Sequence, residues 1–135
     1  MSQENVEIVR KGWRAFERGD IDGLLALCDP AFVWDHSHYA SGEFDPVYYG
    51  HDGIERFLKE WREFFESYYT HIEEFVDAGE AVLVRVRQGG RGKSSGAPVE
   101  SQPYWSISRV RDGLVVQIEF YRDEGDALKA VGLEE

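Results

Sequence analysis

The sequence has little cysteine and no long apolar run. Cys28 is the single cysteine among 135 residues, which excludes an internal disulfide framework and a cysteine-based zinc cluster. Its position in the apolar stretch LLALC predicts a small buried side chain. No apolar run approaches the ~18 residues that are needed to cross a bilayer, so no membrane partner is expected.

Basic charge is also scarce. The 15 Lys and Arg residues face 26 Asp and Glu residues, which gives a formal net charge of -11. Because this field repels phosphate backbones, nucleic acid is not an expected partner. The polar, acidic first residues show no secretory signal, so we expect a cytoplasmic location. A chain of this length predicts one domain over residues 1–135.

Hydrophobic periodicity predicts three helices and one strand in the first half of the chain. Apolar residues from Val6 to Phe16 recur at steps of three and four, which is typical of an amphipathic helix. Asp20 is a plausible N-cap for the second helix, and Asp29-Pro30 predicts its end. The predicted helices cover residues 3–18, 21–28 and 54–68, and the predicted strand covers residues 31–38.

In the second half the period changes from 3.6 to 2, which predicts strands. These strands cover residues 70–79, 80–88, 100–110 and 114–123, and a short helix follows over 124–133. The glycine- and serine-rich segment 89–98 predicts the mobile tip of a hairpin. Helices around one early strand, followed by sequential strands, indicate an α+β fold with an antiparallel sheet.

Three stretches of the sequence resemble the SnoaL-like branch of the nuclear-transport-factor-2-like superfamily. They are VEIVRKGWRAFERGDIDGLLALCDPAFVWD, YYGHDGIERFLKEW and RVRDGLVVQIEFYRD. The resemblance implies a cone-shaped α+β barrel, in which three helices pack on a curved, mainly antiparallel sheet beside a short C-terminal helix. The branch includes ketosteroid isomerases and is related to limonene epoxide hydrolase. The fold alone does not imply one activity, because it serves isomerases, cyclases, hydrolases, dehydratases and non-catalytic binding proteins.

The resemblance also implies a hydrophobic pocket between the helices and the concave face of the sheet. Strand alternation predicts that Val84 faces inward, as do Val116, Ile118 and Phe120 on the last strand. The resemblance points three residues of the preceding strand inward as well. The predicted pocket residues are Trp13, Phe16, Val33, Tyr48, Phe57, Trp61, Val84, Tyr104, Ser106, Ser108, Ile118 and Phe120. An aromatic stripe at helical spacing is equally typical of a packed core.

Asp35 matches the catalytic base of ketosteroid isomerases by its place at the end of FVWD. A carboxylate at the mouth of an apolar pocket is suited to take a proton from carbon. The alternative is an aspartate that accepts backbone hydrogen bonds at a turn. The isomerase also needs a tyrosine and a protonated aspartic acid as oxyanion donors. Here those positions fall near Gly12 and Ser106, so neither donor type is kept.

Two other activities of the superfamily have weaker support. The epoxide hydrolase needs two carboxylates bridged by an arginine, and the polyketide cyclase needs an aspartate late in the last strand. Phe120 or Tyr121 stands near that late position in this sequence.

Three histidines offer a metal site as an alternative. Imidazoles of His36, His38 and His51 are suitable ligands if they converge. However, if Asp35 faces inward, alternation sends His36 and His38 outward. We therefore assign no metal site and expect no cofactor.

The leading functional hypothesis is isomerase- or cyclase-type proton transfer on an apolar carbonyl or polycyclic molecule, with Asp35 as general base. The alternative is a non-catalytic domain that binds an apolar small molecule, and the sequence leaves the identity of the ligand open. We also expect a homodimer through the convex face of the sheet, since Trp105, Ile107 and Tyr121 are predicted to lie exposed there among charged residues.

Overall fold

The computed structural model describes residues 2–38, 45–94, 96–100 and 103–133. Within them the helices are α1 (Ser2–Arg18), α2 (Ile21–Ala26), α3 (Gly50–Phe64) and α4 (Glu124–Ala130). The strands are β1 (Cys28–Asp35), β2 (Val47–Tyr49), β3 (Phe65–Ala78), β4 (Ala81–Gly92), β5 (Pro98–Glu100), β6 (Tyr104–Arg111) and β7 (Leu114–Tyr121). None of the described helices is long and apolar enough to span a membrane.

The strands form one sheet in the order β2, β1, β7, β6, β4, β3, with β5 also paired to β4. Strand β1 runs parallel to β7, and all other neighbouring strands in this sheet are antiparallel. Helices α1, α2 and α3 lie on the concave face of this sheet. The structure thus confirms the predicted cone-shaped α+β fold with its short C-terminal helix.

The junction between α1 and α2 is fixed by local chemistry. Gly19 has a positive φ of 71°, which favours glycine at the end of a helix. The predicted cap is present, since the Asp20 side chain accepts a hydrogen bond from the Gly23 amide at 2.9 Å. Tyr68 on β3 donates its hydroxyl to the Phe16 carbonyl at 2.7 Å and so ties the end of α1 to the sheet.

A continuous apolar cluster fills the space between α1, α2, α3 and the concave face. We call this space the cone interior. It is lined from the helices by residues such as Trp13, Phe16, Phe57 and Trp61, and from β4 by Val82, Val84 and Val86. The predicted inward face of β4 is therefore confirmed. The prediction for Val116 is wrong, because a bulge pairs Val115 with Val110 and Gln117 with Arg109 and leaves Val116 half-buried.

A second apolar cluster lies on the convex face under α4. It contains Trp105, Ile107, Tyr121 and Leu83, with Ala127 of α4 packed against them. Ile107 is 0% exposed and Trp105 is 4% exposed. The prediction that these residues are solvent-exposed is wrong, because α4 covers them. Their burial removes the apolar patch from which the dimer contact was inferred.

Several element boundaries differ from the prediction. Helix α2 ends at Ala26 and Cys28 already belongs to β1, where it is buried as predicted. Helix α3 ends at Phe64, so Tyr68 lies on β3. Strand β2 is not among the predicted strands.

The segment 89–98 is more regular than its composition suggested. Strand β4 continues to Gly92 and pairs with β5. A Cβ atom on Gly90 would lie 2.1 Å from the Ser67 carbonyl oxygen, so glycine is required there by the close approach of β3. The glycines of this segment therefore serve strand packing as well as the turn.

Replacement of Ile107 by alanine tests the packing of α4. We expect Ile107→Ala to lower the free energy of unfolding by roughly 2–5 kcal/mol, because it leaves a cavity under α4. Urea denaturation followed by circular dichroism measures the change. Leu133→Ala is the matched control, since Leu133 is 43% exposed and its truncation should change stability by less than ~0.5 kcal/mol. Equal losses in the two variants would contradict this packing.

Candidate functional site

The aromatic side chains of β1, Phe32 and Trp34, point into the cone interior. Trp34 is 7% exposed, and its ring lies 4.7 Å from the Phe57 ring and 5.6 Å from the Phe120 ring, between centroids. Since side chains alternate along a strand, the next inward position after Trp34 is His36. The expectation that Asp35 faces inward and His36 outward is therefore wrong for this strand.

His36 lies among aromatic rings. Its centroid is 4.7 Å from that of Phe120 and 5.1 Å from that of Phe57. The Trp34 indole donates to His36 Nε2 at 2.8 Å. Since Nε2 accepts this bond, the neutral ring carries its proton on Nδ1, which is buried without a well-formed hydrogen bond.

Burial lowers the pKa of His36 from 6.5 to about 4. The backbone of Asp45 and the negative charge of Asp35 offset only part of this effect. Protonation would also convert Nε2 from acceptor to donor and break the bond from Trp34. His36 is therefore a neutral imidazole near pH 7.

The serines of β6 also face the cone interior. Ser106 is 0% exposed, and its Oγ has no hydrogen-bond partner. It pairs with Phe120 on β7 and with Val84 on β4. Ser108 is 3% exposed, and it borders the small cavity described next.

A cavity of about 40 Å³ lies between α1, α2 and the sheet. Its walls are apolar except for Ser108. The walls are formed by Val9, Gly12, Trp13, Phe16, Leu24, Leu27, Cys28, Phe32, Trp34, Ser108, Val115 and Ile118. This volume holds a water molecule but no aromatic ring, so a larger ligand requires movement of side chains.

Asp35 lies on the opposite side of β1 from Trp34 and His36. Its Oδ1 accepts a hydrogen bond from the Ser37 amide at 2.7 Å, which confirms the turn alternative. Asp35 is paired in register with Glu119 of the parallel strand β7. Its proposed role as general base stays a prediction, and in this structure such a base would act outside the cone interior.

Glu119 is held by a network on the convex face. It is 9% exposed, and its Oε1 lies 3.1 Å from both Nε and Nη2 of Arg109. The Tyr121 hydroxyl donates to Oε2 at 3.1 Å. Burial, with help from the negative charge of Glu119, raises the pKa of Tyr121 to about 12, so this hydroxyl remains a donor.

His38 stacks on the same tyrosine. The two ring centroids are 4.7 Å apart and the rings are inclined by 15°. One ligand-type atom each of Asp35, His38 and Glu119 lies within 4.8 Å of the other two. An open cleft of about 510 Å³ begins at His38 and Tyr121 and extends along α4.

The predicted pocket residues mostly gather in the cone interior. Those that lie buried around it are Trp13, Phe16, Tyr48, Phe57, Trp61, Val84, Tyr104, Ser106, Ser108, Ile118 and Phe120. Val33 shares the strand face of Asp35 by alternation. Tyr104 donates its hydroxyl to Gln88 Oε1 at 2.7 Å, and Tyr48 donates to Glu60 Oε1 at 2.5 Å.

The three histidines do not converge. His51 Nε2 lies 2.9 Å from the Cys28 carbonyl oxygen, His36 faces the cone interior and His38 faces the cleft. Trp34 and His36 were not predicted as interior residues. One alternating face of β1 carries Phe32, Trp34 and His36. The large aromatic side chains of Phe32 and Trp34 were the signal in the sequence that this face is the buried one.

The partly buried imidazole of His36 predicts a specific dependence of stability on pH. The pKa of His36 is about 4 in the folded chain and 6.5 in the unfolded chain, so the unfolded state binds the proton more readily. The neutral His36 ring therefore contributes to the free energy of unfolding above pH 6.5, and this contribution is lost as the pH falls toward 4. We expect a loss of roughly 3 kcal/mol over this window.

Urea denaturation at a series of pH values measures this effect in the wild type and in His36→Phe. The variant should lose less stability between pH 6.5 and 4 than the wild type. His71→Phe, at an exposed position on β3, is the matched control. If His36→Phe and the wild type showed the same pH slope, His36 would not be buried as a neutral ring.

Comparisons with solved structures agree on the fold. An NTF2-like protein from Burkholderia xenovorans LB400 is 31% identical, with 91% of this chain and 92% of that chain covered and a TM-score of 0.73. TerC, crystallised with polyporic acid, is 21% identical with coverage of 96% and 98% and a TM-score of 0.78. A protein from Xanthomonas campestris pv. campestris, provisionally named a polyketide cyclase, is 21% identical with coverage of 96% and 97% and a TM-score of 0.70.

A search of curated proteins found no match to this sequence. The model of the SnoaL-like domain family matches residues 9–118, which is most of the chain. The matched region runs from α1 into β7 and includes the strands that shape the cone interior. The chain belongs to the SnoaL-like domain family.

Proposed function

We propose that the protein binds a small, planar and mainly apolar molecule in the cone interior through a neutral oxygen of that molecule. The observation that carries this proposal is the buried Ser106 Oγ, which has no hydrogen-bond partner, beside the His36 Nδ1, whose interaction with the Asp45 backbone falls short of a well-formed hydrogen bond. A buried polar group without a partner destabilises the fold by about 1–3 kcal/mol. A ligand carbonyl or hydroxyl group would supply the missing partner.

Phe120 connects the two groups. Its backbone pairs with Ser106 across β6 and β7, and its ring packs on the His36 ring. A planar ligand that displaces the Phe120 ring would therefore meet both groups. The surrounding rings of Trp34 and Phe57 would pack against the faces of such a ligand.

The electrostatics of the cone interior favour a neutral ligand. Among the described residues, the buried polar side chains are Ser106, Ser108 and Glu119, and Glu119 belongs to the convex face. His36 is neutral near pH 7. An ionised ligand group would lose its hydration without gaining an opposite charge, which is strongly unfavourable.

One of the similar structures supports the proposal that this fold binds a small molecule. TerC has the same fold and was crystallised with polyporic acid. The cavity in this chain is smaller than such a ligand would need, so binding here would require the aromatic side chains to rearrange.

Proton transfer with Asp35 as general base remains a second proposal, carried by the position of Asp35 beside an open cleft. The expected substrate is an apolar carbonyl or polycyclic molecule. In this arrangement the reacting carbon would have to approach Asp35 from the side of His38. The substrate of this reaction would therefore lie in a different place from a molecule that is bound in the cone interior.

A homodimer also remains a proposal, with a narrower surface than the sequence suggested. The part of the convex face outside the α4 contact carries Arg85 and Arg87, which both pair with Glu73. A contact there would be polar and would depend on salt concentration.

Substitution of Ser106 tests the binding proposal. We expect Ser106→Ala to weaken the binding of planar aromatic ketones by about tenfold while stability stays equal or rises, because the variant removes an unsatisfied buried hydroxyl. Quenching of tryptophan fluorescence measures affinity across a panel of these ketones, and urea denaturation measures stability.

Ser108→Ala is the matched control on the same strand face. It should change ketone affinity less, because Ser108 pairs with Ile118 and not with Phe120. Absence of ketone binding to the wild type, or equal affinity of the wild type and Ser106→Ala, would contradict the proposal.

Substitution of Asp35 tests catalysis separately from binding. If Asp35 is the general base, Asp35→Asn should reduce turnover of β,γ-unsaturated ketones by at least ~100-fold, with little change in ligand affinity in the cone interior. Proton exchange at the acidic carbon, followed by NMR, gives the rate. Equal rates for the two proteins would remove Asp35 from the mechanism.

A further inference from the structure

A mixed cluster of two carboxylates and one imidazole lies outside the cone interior. We propose that Asp35, His38 and Glu119 bind one divalent transition-metal ion, with Zn²⁺ as the best fit. One donor atom of each residue lies within 4.8 Å of the other two. This spacing needs only small side-chain movements to place all three donors about 2.0–2.2 Å from one ion. The metal site is separate from the proposed ligand site in the cone interior, but it competes with the second proposal, because a metal-bound Asp35 is not a free general base.

The two carboxylates are brought together by the sheet itself. Asp35 and Glu119 are register partners on the parallel strands β1 and β7. Two negative charges at neighbouring strand positions repel each other unless a positive charge lies between or beside them. A positive charge near Asp35 and Glu119 would therefore reduce the repulsion between their carboxylates.

Arg109 supplies part of this positive charge. Of the two carboxylate oxygens of Glu119, its guanidinium contacts Oε1. Its Nη2 also donates to the Ala130 carbonyl at 3.2 Å. The two carboxylates and one guanidinium leave one unit of negative charge in the group. The formal net charge of -11 adds to the attraction for a cation.

The existing hydrogen bonds leave room for metal coordination. Glu119 accepts from Arg109 at Oε1 and from Tyr121 at Oε2, and Asp35 accepts from Ser37 at Oδ1. Each carboxylate oxygen has two lone pairs, so both residues retain acceptor capacity.

Tyr121 acts on two of the three donors. Its ring stacks on His38, and its hydroxyl donates to Glu119. Hydrogen-bonded neighbours of this kind orient metal ligands and tune their affinity. Tyr121 is itself fixed by the cluster under α4, which gives the site a rigid support.

The imidazole nitrogen and carboxylate oxygens of the cluster, and its exposure to solvent in the cleft, favour a transition-metal ion that keeps open coordination positions. Imidazole nitrogen suits Zn²⁺ better than Mg²⁺ or Ca²⁺, which prefer oxygen. The open cleft at His38 and Tyr121 lets water complete the coordination shell. Three protein ligands and an open position are the arrangement of a reactive zinc centre.

Titration of untagged, EDTA-treated protein with ZnCl₂ tests the proposal by calorimetry near neutral pH. We expect one Zn²⁺ per chain and a rise in melting temperature with added Zn²⁺. His38→Phe should keep the stacking on Tyr121 and weaken zinc binding by at least about tenfold, since it removes one ligand. Asp35→Asn should weaken it similarly, and its amide oxygen can still accept the Ser37 bond. MgCl₂ should produce no saturable heat.

His71→Phe is the matched control, because His71 is also exposed but lies on β3 outside the cluster. It should bind zinc like the wild type. The proposal would be overturned if the wild type bound no zinc, or if His38→Phe and Asp35→Asn bound it with wild-type affinity. Each variant's ketone binding, measured in parallel, distinguishes failure of the metal site from failure of the cone interior.

Discussion

The parallel register of β1 on β7 determines which side chains of β1 enter the cone interior. Trp34 pairs with Ile118, and Asp35 pairs with Glu119. Because a strand alternates with a period of two, burial of Trp34 forces Asp35 to the other face, and a slip by one residue would exchange them. The burial of Trp34 between Phe57 and Phe120 makes that slip unfavourable.

This register separates two chemical environments across one sheet. The cone interior holds aromatic rings with a neutral imidazole and serine hydroxyls, whereas the convex face holds the carboxylates and Arg109. Ionised groups are tolerated on the convex side because they pair there and lie close to an open cleft. The proposed binding of a neutral molecule and the proposed binding of a cation therefore lie on opposite faces of β1. The Ser106 hydroxyl in the cone interior has no hydrogen-bond partner, which lowers the stability of the fold.

Periodicity and resemblance were sufficient to predict the fold and most of the secondary structure. Of the residues that were assigned to a pocket, all but Val33 lie in the cone interior. They did not orient β1, because Phe32, Trp34 and His36 form one alternating set and Val33 and Asp35 form the other. Matching Asp35 to a catalytic base selected the second set, although the larger aromatic side chains of the first bury more apolar area. The bulge at Val116 and the cover that α4 gives Ile107 also escaped prediction. A bulge interrupts alternation, and the α4 contact joins segments far apart in the chain.

His36 faces the cone interior, and Asp35 faces the side of Glu119. Nuclear Overhauser effects in the protein without ligand test this orientation of β1. We expect strong effects between the ring protons of His36 and those of Phe120 and Phe57, whose centroids lie 4.7 Å and 5.1 Å from the imidazole. We expect no effect between the Asp35 β-protons and those phenylalanine rings. Effects from Asp35 to Phe57 or Phe120, with none from His36, would show that β1 has the opposite orientation.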